Sequence, residues 1–168
     1  MMKQGLVSAA AGLALLGGVA QAQDQSVVVN VKRLTLEMAQ QAATAVIEQC
    51  RKEGVQVAVT VVDRAGHVQT VLRDVLAMDL TLEISRQKAY TAMSFNSPTS
   101  DLESRFTAPF SIAKVQGVLP AAGGVPIAAG GTILGGIGVS GAPSGETDEK
   151  CARAGMEAIE ADLEMGMM

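Results

Sequence analysis

The 168-residue chain holds a single imidazole, His67, directly after Gly66 in "VVDRAGHVQTVLRD" (61–74). Any chemistry that needs a neutral nitrogen ligand, or a base that titrates near neutrality, therefore has one candidate. His67 can serve as a ligand to haem iron, with cations nearby for the propionates. It can act as a general base on a small organic acid, or simply occupy a turn. Arg73, Lys88 and Arg105 are the cations suited to a carboxylate, arginine through its planar fork and lysine as a point charge. Lys88 and Thr91 lie about one turn apart in "ISRQKAYTA" (84–92) and share a helix stripe with Ile84 and Phe95. Glu146, Asp148 and Glu149 cluster in "GETDEK", where acids at a helix start commonly serve the helix dipole.

Several chemistries lack their residues. There is no G-x-S-x-G elbow for a Ser-His-Asp hydrolase. The run "GGIGVSGAPSG" (135–145) lacks the Lys-Ser/Thr of a phosphate loop. One histidine and two distant cysteines do not supply a zinc ligand set. The formal net charge of −4, with no basic run, argues against nucleic acid as a partner.

The elements that must position these groups begin after a leader-like segment. Lys3, the apolar run "GLVSAAAGLALLGGVA" (5–20) and the small residues of "AQA" (20–22) have the order of a secretory signal peptide. Residues 1–22 are therefore expected to be a signal peptide, residues 23–33 a mobile segment and residues 34–168 one domain. The expected location is periplasmic or secreted, with no stable membrane span after cleavage. In an oxidising space Cys50 and Cys151 either join the first and last helices, if these lie side by side, or pack as two separate thiols.

Leu36, Ala39, Ala43, Val46 and Ile47 recur at helical spacing between a Thr35 cap and a Gly54 stop. "VQVAVTVVDRAGHVQTVLRD" reads as a hairpin, with His67, Gln69, Val71 and Arg73 on one face and Val68, Thr70 and Leu72 on the other. A second helix follows, capped by Asp79 or Thr81, then a short helix after Pro98. Glycine-punctuated runs over 118–141 predict three strands, with Gly135, Gly136 and Gly138 leaving one strand face bare for close approach. Ser144 or Thr147 opens the last helix. The order α-β-β-α-α-β-β-β-α predicts an α+β fold with helices packed on a five-stranded antiparallel sheet.

Several segments in this order, "VAVTVVDRAGHVQTVLRD", "ISRQKAYTA", "SPTSDL", "GGVPI" and "GGIGVSGAPSGETDEKCARAG", resemble the GlcG/HbpS-like haem-binding family and the C-terminal domain of PduO-type proteins. The resemblance implies a profilin-like or PAS-like three-layer sandwich, homo-oligomeric assembly and, in several members, haem binding. By position it marks His67, Lys88, Thr91 and Asp148 as site residues. Arg73 and Asp74 remain from a family segment that here reads "LRDVLAMDL". The implied function is an exported, oligomeric protein that binds haem or another small carboxylate-bearing ligand near His67 and Lys88. An enzyme using His67 as base and a structural or accessory subunit are the alternatives.

Overall fold

A computed structural model describes residues 27–107 and 111–168. Contacts divide the chain into residues 1–30 and 31–168. Residues 27–30, the described part of the first unit, are exposed; the expected signal peptide lies outside the described residues. The second unit contains α1 (Leu36–Lys52), β1 (Ala58–Asp63), β2 (Val68–Arg73), α2 (Leu80–Phe95), β3 (Gly124–Ala129), β4 (Thr132–Ser140) and α3 (Gly145–Met167), with single 3₁₀ turns at Thr99–Leu102 and Ile112–Lys114.

Local chemistry explains the helix ends. Thr35 Oγ1 accepts from Met38 N at 3.3 Å and Ser144 Oγ from Thr147 N at 3.2 Å, each satisfying one orphan N–H. Asp79 begins α2 without a side-chain cap, and Thr81 instead donates to Met78 O. Asn96, in the left-handed region at φ 47°, ends α2 shortly before Pro98.

The strands pair antiparallel in the order β2-β1-β4-β3. Val57, Val59, Val61, Ile137 and Val139 form one buried face with Ala39, Ala43 and Val46 of α1 and Ala152 and Ile159 of α3. On the other face Val62 packs with Ala89 and Met93 of α2, and Thr60 shares a 2.8 Å hydrogen bond with Ser85. The bare strand face admits α2: a Cβ at Gly136 would fall on Ala89 O, and one at Gly138 on Ser85 O. Both obstacles are helix backbone, which cannot rotate away. Gly138→Ala is expected to destabilise by about 1–3 kcal/mol through overpacking, visible as a lower thermal midpoint. An unchanged midpoint would mean that α2 does not sit this close to β4.

Among the described residues the sheet has four strands, which corrects the expected five. Residues 118–123 form no strand because side chains and turns take their N–H groups. Leu119 N donates to Thr91 Oγ1, Ala122 N to Glu103 Oε1 and Gly123 N to Glu149 Oε2. The expected face of β2 is also corrected. Val62 pairs with Val68 but Val61 with Thr70, so Gln69 is the extra residue of a β-bulge. Val68 lines a groove beside Leu80 and Leu82 of α2, whereas Gln69 and Thr70 both line one beside α1. His67, Gln69, Val71 and Arg73 therefore do not form a single row. Cys50 and Cys151 are bonded, with Cα atoms 5.5 Å apart, tying α1 to α3 and resolving the two alternatives left open by the sequence.

Candidate functional site

The hairpin turn is built around Asp63. Its Oδ1 accepts from Ala65 N at 2.8 Å and His67 N at 3.0 Å, and its own N–H donates to His67 O at 2.8 Å. Gly66 supplies a φ of 82°, and a Cβ there would overlap the Tyr90 ring, so the turn rests on α2. The His67 side chain is 78% exposed, with Nδ1 3.8 Å from Asp63 Oδ2. Arg33 Nη1 reaches the same oxygen at 3.4 Å, and Arg64 donates to Ile133 O at 2.8 Å. The arrangement offers an imidazole open to a ligand from solvent, with a carboxylate beside Nδ1 and cations flanking the turn.

Lys88, Thr91 and Asp148 come together elsewhere. Lys88 Nζ, buried, donates to Val139 O and Asp148 Oδ2, each at 3.0 Å. Asp148 Oδ1 accepts from Ala142 N at 3.0 Å. Burial pushes the Asp148 carboxyl above its usual range, and the Lys88 charge acts in the opposite direction. A Cβ at Gly123 would collide with Lys88 Nζ, so glycine lets the chain close over the pair. Thr91 Oγ1 donates to Gln87 O at 2.7 Å and accepts from Leu119 N at 2.8 Å. These groups hold α2, α3 and the segment before β3 to one another. Their polar atoms face protein partners.

Arg73 lies at the far end of β2 from His67. It donates to Ala77 O and Asp74 O, while buried Asp74 receives a two-pronged contact from Arg51. The pair shapes the turn into α2. Exposed Arg105 donates its N–H to Leu102 O. Glu149, expected to serve a helix end, instead gathers Ser100 N, Ser100 Oγ, Gly123 N and Arg153 Nη2. Asp63 was not singled out as a site residue, although "VVDRAG" carries its turn-forming position. Among the described residues, no group of three or more His, Cys, Asp or Glu is placed to hold a metal ion. No helix among them is long and apolar enough to cross a membrane.

The family model described as haem-degrading protein HbpS-like matches residues 34–157. The chain belongs to the HbpS-like family. Its structure is similar to that of a double Glu→Asp mutant of Streptomyces reticuli HbpS, at 40% identity and a TM-score of 0.76 over 90% of this chain and 99% of the other. A further HbpS crystal structure gives 41% identity and a TM-score of 0.77, covering 82% and 98%. A PduOC:heme complex gives 28% and 0.68, covering 76% and 96%. No curated protein matches the chain. In this HbpS-like chain the α+β architecture and the antiparallel sheet agree with the expectation from sequence, while the short helix expected after Pro98 is a 3₁₀ turn.

Proposed function

We propose that this HbpS-like protein is exported, assembles with copies of itself and binds haem at the surface around His67. The observation that carries the reading is the family match over residues 34–157, which spans the solvent-open imidazole. A neutral imidazole suits haem iron, and Asp63 beside Nδ1 suits an orienting role. Arg64 is a cation of the kind propionates need. Bound haem would supply a redox-active iron; the chain would hold the macrocycle and fix the ring orientation of His67. Lys88 and Asp148 fit this role less well, because each already satisfies the other beneath Gly123.

Assembly is supported by the exposed side of β2, an edge strand with Val68, Val71 and Leu72 open to solvent, followed by exposed Val75, Leu76 and Met78. Such edges are ordinarily covered or interrupted by charge. The profilin-like or PAS-like sandwich is part of this reading, supported by α2 on one sheet face and α1 and α3 on the other. The leader-like residues 1–22 support export.

Titration of haem into the purified protein, followed by light scattering, is the test. A stoichiometric shift of the Soret band that His67→Ala removes, on a particle larger than one chain, is expected. Free-haem spectra throughout would end the haem reading, and a monomer would end the assembly reading. The family's description as haem-degrading favours a second reading, turnover of the bound haem. Progressive loss of the Soret band with release of iron would distinguish it from a stable complex.

A further inference from the structure

We propose a second site, for an amphipathic carboxylate with an aliphatic chain, in the cavity between the start of α1, the start of β4 and the last turns of α3. The cavity measures about 380 Å³. Its apolar wall is Leu34, Met38, Leu134, Leu163 and Met167. Leu34, Leu134 and Leu163 belong to the main core, so the floor is fixed, while Met38 and Met167 are partly buried and have the rotatable thioether chains that adapt to a guest. Among the described residues no aromatic ring lines it, which suits a flexible alkyl chain.

Lys32 and Arg33 stand at the mouth. Lys32 Nζ donates to Met167 O over a long 3.5 Å, and Arg33 meets Asp63 through Nη1 at 3.4 Å with its side chain 62% exposed. Both retain donors for an incoming carboxylate. Among the described residues Asp162 is the one acid in the lining, and Asp63 takes a single nitrogen of Arg33, so the Lys32 ammonium and the other guanidinium nitrogens stand over an apolar floor. That volume is at the small end of the range of ligand pockets, about 300–1,000 Å³, which suits a short-chain ligand. The site meets the His67 turn through the Arg33–Asp63 contact, and His67 does not line it. A chain of ten carbons ending in a carboxylate has the matching size and polarity.

Calorimetric titration of the full chain with decanoate, below its micelle concentration, tests this. One molecule should bind per chain, with acetate giving no heat. Lys32→Gln/Arg33→Gln should weaken decanoate about tenfold, the worth of a charge-assisted hydrogen bond. Met38→Glu should abolish binding, with thermal melts confirming that each variant folds; if Met38→Glu unfolds, the charge variant decides. Haem titration of Lys32→Gln alone, which leaves the Arg33–Asp63 contact beside His67 in place, should match the wild type. Absence of saturable decanoate binding overturns the proposal, as does binding of several molecules per chain that ignores the charge variant.

Discussion

Replacing Cys50 and Cys151 together by alanine, or reducing the bond, is expected to lower the free energy of unfolding by about 4 kcal/mol. The bond closes a loop with a sequence separation of 101 residues, so it removes a large share of the unfolded chain's freedom. Both cysteines are fully buried, in the core that α1 and α3 share. The close approach also depends on Gly155, where a Cβ would meet Val46 and the Ala42 carbonyl. Urea unfolding with and without reductant measures the difference. A midpoint that reductant leaves in place would show that the bond does not form in solution.

The second large effect is expected at the buried ion pair. Lys88→Met removes the ammonium and leaves Asp148 without its partner, which should cost about 3–5 kcal/mol. Lys88→Met/Asp148→Leu should recover part of that loss, because two apolar residues do not strand a charge. Ala142 N loses its acceptor in the double variant, so recovery should be incomplete. The pH dependence follows from the direction of the Asp148 shift. Its carboxyl is raised by burial, so above an ordinary aspartate pKa of about 3.9 the folded protein holds more protons at this position than the unfolded chain. The contribution of Asp148 to stability therefore falls as pH rises through its raised pKa and is level above it. Without Lys88 the carboxyl is raised further, so the deficit of Lys88→Met should be smaller at mildly acidic pH than at neutrality. Denaturant melts of both proteins at two pH values test this; a deficit that grows on acidification contradicts the assignment.

Glycine placement, helix caps and alternating β-branched runs were legible in the sequence because they are local. Thr35, Ser144 and the bare face of β4 did in the structure what their types imply. The missing fifth strand was not legible, since "VLPAAGG" has the apolar look of a strand. What decides its conformation is side chains far along the chain: Thr91, Glu103 and Glu149 capture its N–H groups. The bulge at Gln69 is likewise a property of pairing with β1, and alternation in β2 alone cannot reveal an inserted residue.

The candidate site divides in the same way. The sequence by itself determined which groups exist: one imidazole on a glycine turn, a helix lysine, two cysteines and an acid at the start of the last helix. It also determined the family. Only the tertiary structure decided who meets whom. Lys88 was drawn inside to Asp148 across 60 residues, because a charge taken from water needs an opposite charge and a carbonyl at bonding distance. His67 was left in solvent, because Asp63 bonds its backbone rather than burying its ring. Long-range partners set burial, and burial sets whether a polar group holds the fold together or meets a ligand.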